Sequence, residues 1–299
     1  MTHVFAGTNV CIMGGAGSGK TYSIGTLVES DLEVFYMGLE SGIESLIKYF
    51  TDKKKPVPKN LHWVEVKGGG STFADIKSSN EQVSRMNFES LLKYADPNRS
   101  KHDQYRKVID SLYNFVDERD GKSYGSVDSW DATRVIVVDG LTGLSNFAMA
   151  NWMGGKITRD QKDWGIAQNS LEQLLRMLCD GCNCHFVLLA HIERETDPVA
   201  GGTKIMMSTL GRALAPKIPA MFSDVILATR NEVSWLWDNR AGNADVKFRN
   251  LPYSATNKAD FRPLLEQWRI NEQAFRTALN PEPKAEPEVA ALEKSGSSK

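Results

Sequence analysis

The stretch Val10-Cys11-Ile12-Met13-Gly14-Gly15-Ala16-Gly17-Ser18-Gly19-Lys20-Thr21 decides the fold. Four apolar residues lead into a glycine-rich turn that fits G-x-x-x-x-G-K-[ST] from Gly14 to Thr21, and Lys20 to Val28 then reads as a helix. Strand, glycine turn and helix are the setting a phosphate loop needs. The glycines let backbone N–H groups curl around a β-phosphate, and the helix N-terminus adds partial positive charge. Lys20 reaches the β- and γ-phosphates, and the Thr21 hydroxyl is a ligand for Mg²⁺. The implied cofactors are ATP and Mg²⁺, held by Gly14, Gly15, Ala16, Gly17, Ser18, Gly19, Lys20 and Thr21.

Outward from this turn the pattern is βαβα. A strand from Glu33 to Leu39 ends at Glu40, a helix follows from Gly42 to Phe50, and Leu61 to Val66 resembles a third strand bounded by Gly68-Gly69-Gly70. Residues 71–131 form a polar, partly helical insert whose one amphipathic helix, Tyr105 to Val116, carries Val108, Ile109, Leu112, Phe115 and Val116 at helical spacing. Alternation resumes with a strand from Arg134 to Val138, a helix centred on Leu171 to Leu178 and a strand from His185 to Ala190. The near-continuous apolar runs VIVV and FVLLA are what a parallel sheet covered on both faces demands. Thr196 to Gly211 reads as a loop, then a helix ends near Phe222 and a strand runs from Asp224 to Thr229. A C-terminal β meander is expected through Val233 to Trp237 and Asp245 to Arg249. The expected organisation is one domain over 1–279 and a Pro-, Glu-, Lys- and Ser-rich disordered tail over 280–299.

Composition fits a soluble globular chain of 299 residues: 41% hydrophobic, 24% charged, with Lys+Arg 36 against Asp+Glu 37. A formal charge of -1 removes bulk basicity as a reason for nucleic-acid binding, so any such surface is a local patch. The N-terminus lacks a signal-peptide pattern and no run approaches the roughly eighteen apolar residues of a membrane span, which predicts a cytoplasmic protein without a membrane partner. Four cysteines are too few for a disulfide scaffold. Cys179, Cys182 and Cys184 with His185 have metal-ligand chemistry, but Cys184 and His185 begin a strand and point to opposite faces, so buried thiols are the expectation.

A phosphate loop needs a carboxylate at the end of another buried strand, and Val135-Ile136-Val137-Val138-Asp139 supplies it, making Asp139 the second metal-site residue beside Thr21. A strand-end Asp that caps its own turn is the alternative. Hydrolysis also needs a group to orient or deprotonate water, and Glu40 stands at the end of the second strand. The alternatives are a helix-start acid for Glu40 and, for His191 at the end of FVLLA, a satisfied strand-end histidine.

The segments GGAGSGKT, GLES, VIVVDG and VLLAHIERE together resemble the compact RecA-like ATPases encoded by phages, including those of single-strand DNA annealing and recombination. The resemblance covers roughly residues 8–275 and implies a RecA-like α/β core with a mostly parallel central sheet flanked by helices. It implies Glu40 as catalytic base, His191 as γ-phosphate sensor, Lys20 and Asp139 as phosphate- and metal-site residues, and Lys247 and Arg249 reaching a neighbouring subunit's γ-phosphate. An exposed strand face with alternating basic residues explains Lys247 and Arg249 equally well. The implied protein is a homo-oligomeric ring or filament in the bacterial host cytoplasm, acting on single-stranded DNA beside phage replication or recombination proteins. By position, two loops, residues 140–163 and 196–211, would face DNA, with Gly201, Gly202, Thr203, Lys204 and Ser208 near phosphates and Trp152 or Trp164 stacking on bases. Lys53 to Lys55 with Lys59 form the densest basic run, which a solvated loop also explains. The alternative is a nucleotide-dependent protein-assembly partner, such as a helicase loader or DNA-packaging accessory. A small-molecule kinase is poorer, for want of a basic lid.

Overall fold

A computed structural model describes residues 5–68, 72–96, 102–156, 160–196 and 201–279. The chain opens with β1 (Asn9–Gly14), α1 (Lys20–Val28), β2 (Glu33–Gly38), α2 (Ile43–Asp52) and β3 (Leu61–Glu65). The polar segment adds α3 (Phe73–Ser84), α4 (Phe88–Lys93), the two-residue β4 (Ala95–Asp96) and α5 (Gln104–Tyr113). Then come β5 (Arg134–Asp139), α6 (Leu141–Met153), the two-residue β6 (Gly155–Lys156), α7 (Gln161–Asp180), β7 (His185–Ala190), β8 (Ile192–Thr196) and β9 (Thr203–Met207). Short helices α8 (Gly211–Leu214) and α9 (Ile218–Met221) precede β10 (Asp224–Arg230), β11 (Trp235–Asp238), β12 (Asn257–Lys258) and α10 (Arg262–Leu279).

The central sheet has the order β12-β11-β10-β1-β7-β5-β2-β3, parallel from β10 to β3 and antiparallel at β11 and β12. This is the α/β class, a mostly parallel central sheet flanked by helices, that the sequence leads one to expect. Alternation along each strand explains the continuous apolar runs. Cys11, Met13, Ile136, Val138, Phe186 and Leu188 enter a core with α5, α6 and α7, while Val10, Ile12, Val135, Val137, Val187 and Leu189 enter a second core with α1, α2 and α10. Each such side chain contributes about 1.5–3 kcal/mol by leaving water, so both faces hold the phosphate-loop strand in place. At the β3 edge the insert closes the sheet. The Trp63 N–H donates to Asp117 Oδ1 at 3.2 Å, the Glu118 N–H to the Trp63 carbonyl at 2.9 Å, and the Glu65 N–H to Glu118 Oε1 at 3.1 Å.

Four segments differ from the sequence expectation. Residues 140–163, expected as a loop, contain α6 and the start of α7, because Leu141, Leu144, Ala148 and Met149 share one buried face despite the glycines around them. Residues 196–211, also expected as a loop, contain β9, which pairs with β8 as a hairpin from Ile192↔Met207 to Thr196↔Thr203. The insert has two helices more than expected, α3 and α4, which bury no large apolar face; Thr72 and Asp75 cap α3 reciprocally. The expected strand Asp245 to Arg249 is reduced to one bridge between Lys247 and Val225, and the last antiparallel strand is Asn257–Lys258. Here a side chain takes the place of a ladder: the buried Asp224 carboxylate accepts the backbone N–H groups of Arg249, Asn250 and Leu251 through Oδ1 at 2.8, 2.9 and 3.2 Å. Gly69, Gly70 and the expected tail 280–299 lie outside the described residues. Among those described, no helix is long and apolar enough to cross a membrane.

Replacing Asp224 by Ala would leave those buried donors unsatisfied. The expected outcome is a loss of about 3 kcal/mol or more of stability, read by denaturant unfolding.

Candidate nucleotide site

The phosphate loop joins the end of β1 to α1. Gly17 and Gly19 have φ of 72° and 81°, in the left-handed region that side chains with a Cβ seldom adopt. A Cβ on Gly19 would also lie 2.4 Å from the Trp235 ring. The turn is held by the Ser18 hydroxyl, which donates to the Gly15 carbonyl at 2.8 Å. Lys20 Nζ folds back over the loop and donates to the Gly14 and Gly15 carbonyls at 2.9 and 3.1 Å. Burial pulls the Lys20 pKa below its ordinary value, opposed by the charges of Asp139 and Glu40.

Strand order brings the other groups to it. β7 lies between β1 and β5, so Asp139 and His191 emerge on neighbouring strands beside the loop, and Leu39 binds back to β5 through its N–H on the Asp139 carbonyl at 3.0 Å. Asp139 is buried, and its Oδ2 accepts two hydroxyl hydrogen bonds at 2.7 Å, from Thr21 Oγ1 and from Tyr36. Burial raises the Asp139 pKa above the usual carboxylate range; the Tyr36 and Thr21 hydrogen bonds and the Lys20 charge oppose it, while Glu40 adds to it.

Glu40 reaches a different helix from the one it precedes. Its Oε1 accepts the Gly143 N–H at 2.8 Å in the first turn of α6, and its Oε2 lies 3.1 Å from His191 Nε2. The α6 N-cap residue, Gly140, offers no side chain of its own, so Glu40 caps that helix from outside. Close approach makes this geometry possible: a Cβ on Gly140, whose φ is 122°, would sit 2.9 Å from Glu40 Cγ, and one on Gly143 3.2 Å from it. Lys20, Thr21, Glu40, Asp139 and His191 line one cavity of about 340 Å³, together with Tyr22, Lys48 and Trp235. A hydroxyl and a carboxylate side by side at the phosphate loop fit the oxygen chemistry of Mg²⁺, and the lysine with the loop N–H groups fits a polyphosphate.

Lys247 and Arg249 stand elsewhere. They line another cavity, of about 590 Å³, at the opposite end of the sheet where β1 and β10 begin; Lys247 Nζ donates to the Phe222 carbonyl at 2.7 Å and Arg249 Nη1 to Ser223 Oγ at 3.4 Å. The candidate DNA contacts are likewise dispersed. Trp152 is exposed on α6, Trp164 packs partly against the core, Gly201, Gly202 and Thr203 lie at the outer end of the β8–β9 hairpin, Lys204 Nζ pairs with Asp245 at 3.3 Å, and the Ser208 hydroxyl donates to Glu193 at 2.6 Å. The cysteines are free and buried; Cys184 faces one core, and His185 Nδ1 accepts the Thr8 N–H at 3.0 Å.

Sequence reading missed Tyr36 and Trp235. Tyr36 lies within the apolar run EVFYMG, where period-2 alternation assigns it only to a core. Trp235 is opposite Arg230 in the β10–β11 ladder, its indole N–H donates to the Gly17 carbonyl at 3.2 Å, and its ring lies 4.5 Å from that of Tyr22. Only strand pairing reveals that position.

A family model for an AAA domain matches residues 6–260. The chain belongs to the AAA domain family. The site thus lies within the matched region, as does the whole insert. Among solved structures, the flagellar accessory protein FlaH from Methanocaldococcus jannaschii is similar over 85% of this chain and 84% of that chain, at 12% identity and a TM-score of 0.37. The type III secretion ATPase EscN from enteropathogenic E. coli, assembled with its central stalk EscO, is similar over 94% of this chain and 56% of that chain, at 12% identity and a TM-score of 0.39. The AAA domain chain thus spans little more than half of EscN. A search of curated proteins gave no match.

Gly19→Ala combines a strained φ with a clash against Trp235. It is expected to weaken binding of a fluorescent ATP analogue by at least about tenfold while far-UV circular dichroism is retained.

Proposed function

We propose that this AAA domain protein binds ATP with Mg²⁺ and hydrolyses the β–γ phosphoanhydride, using the released energy to reset a complex with single-stranded DNA as a homo-oligomeric ring or filament in phage recombination or replication. The observation that carries the hydrolytic part is the position of Glu40, between His191 and the α6 N-terminus on the wall of the cavity that the phosphate loop forms. Gly14 to Thr21 hold the phosphates, with Lys20 on the β- and γ-groups. Thr21 and Asp139 would hold the metal, which supplies charge neutralisation across the phosphates. Glu40 orients a water and takes its proton as the water oxygen bonds to the γ-phosphorus and the bond to the β–γ bridging oxygen breaks, leaving ADP and phosphate. His191 fixes the second carboxylate oxygen and senses the γ-phosphate. Lys247 and Arg249, distant from this chain's own cavity, are assigned to a neighbouring copy.

Support for DNA as the client comes from the family resemblance and from the β8–β9 hairpin, which continues directly from the strand end that bears His191. One observation favours a second reading, a nucleotide-dependent protein-assembly partner: Phe73 and Phe88 on the insert helices are 91% and 74% exposed, a surface suited to protein rather than to a phosphate backbone.

The test is the ATPase rate of the full chain and of Glu40→Gln, each with and without single-stranded DNA. The variant is expected to retain nucleotide and to hydrolyse it roughly 10²- to 10⁴-fold more slowly; an unchanged rate removes Glu40 from the role. Stimulation by DNA supports the first reading, and indifference to it leaves the assembly reading.

A further inference from the structure

The Asp139 carboxylate is buried, and a tyrosine that no phosphate-loop motif contains donates to it. The Tyr36 phenol is fully buried in β2 and donates to Asp139 Oδ2 at 2.7 Å. Thr21 Oγ1 donates to that same oxygen, also at 2.7 Å. Both hydroxyl donors therefore converge on Oδ2, and no hydrogen bond to Asp139 Oδ1 occurs among the described residues. The ladder explains how this arises. Tyr36 and Gly38 of β2 pair with Val137 and Asp139 of β5, so Tyr36 lies two residues behind the carboxylate on the adjoining strand, where period-2 alternation keeps both on one face. Gly42 completes the arrangement, since a Cβ there would fall 2.5 Å from the Tyr36 hydroxyl and 2.8 Å from Asp139 Oδ2.

Resting on the reading of Thr21 and Asp139 as the metal site, we propose that Tyr36 is a positioning residue for the metal: it locks the rotation of the Asp139 carboxylate so that Oδ2 serves Thr21 and Oδ1 is presented to the cation or its water shell. A phenylalanine would fill the same apolar space, so packing alone does not call for the hydroxyl. A carboxylate able to rotate would offer either oxygen to Thr21, and the cation would have to select one orientation on each binding event. The hydroxyl removes that choice before the metal arrives.

The experiment is an electron paramagnetic resonance titration of the full chain with Mn²⁺ in the presence of a nonhydrolysable ATP analogue, comparing the unaltered protein with Tyr36→Phe. Binding of a fluorescent nucleotide in EDTA is measured alongside. Expected is a Mn²⁺ dissociation constant about tenfold higher in the variant, as for loss of one hydrogen bond to a charged group, with metal-free nucleotide affinity unchanged within about twofold. Equal Mn²⁺ affinities overturn the proposal. So does a parallel fall in nucleotide affinity with and without metal accompanied by a lower thermal midpoint, because that marks a packing role alone. If Tyr36→Phe does not fold, Gly42→Ala, which crowds the phenol from the other side, is expected to show the same metal-selective weakening, and its absence overturns the proposal equally. Failure of the unaltered protein to bind Mn²⁺ with the analogue would instead defeat the nucleotide reading on which the proposal rests.

Discussion

A charged carboxylate at the end of a buried strand is costly unless hydrogen bonds and opposite charge offset its burial, and at Asp139 two hydroxyls on Oδ2 and the Lys20 charge do so. Burial drives its pKa upward, and only the convergence of Thr21, Tyr36 and the Lys20 charge opposes the drift. The partners come from two segments: Lys20 and Thr21 from the first turn of α1, where the phosphate loop ends, and Tyr36 from β2. The register of β1, β7, β5 and β2 must therefore be correct at once. A slip of one residue in β5 would turn Asp139 away from the loop and an apolar residue toward it. The two cores are what forbid the slip, because alternate residues of every central strand are committed to opposite faces.

Much of this was legible in the residues themselves. The central strands and the first helix appear at their expected places because their apolar runs are long, β-branched and bounded by glycine or charge. Asp139, Glu40 and His191 were readable because each stands at the carboxyl end of a strand, and in a parallel sheet those ends share one edge. What escaped was information held in pairing. The position of Trp235 over Gly17 depends on which residues of β10 and β11 lie opposite each other, a relation with no trace in local composition. The fate of residues 245–249 depends on Asp224, more than twenty positions earlier, whose carboxylate captures three backbone donors and turns the chain out of a strand. The α3 and α4 helices were unreadable for another reason: they are held by local caps and bury no face that would leave a periodic signature.

The hairpin and the phosphate loop are linked more closely than their separation in sequence suggests. The Ser208 N–H donates to the His191 carbonyl at 2.8 Å, Met207 is buried at the hairpin base, and its sulfur lies 3.7 Å from Cys11 of β1. The base of the hairpin thus packs behind the strand that ends in Gly14, while its outer end is exposed.

Glu40 has two occupations at once. It satisfies a backbone donor in the first turn of α6, and it lines the cavity beside the phosphate loop. Gly143 belongs to the first turn of a thirteen-residue helix, so this one side chain completes the start of α6 while it lines the cavity. That helix packs along α7 and against the sheet. One carboxylate at the cavity is thereby tied to the first turn of α6, and the exposed Trp152 stands near the other end of the same helix, at the surface.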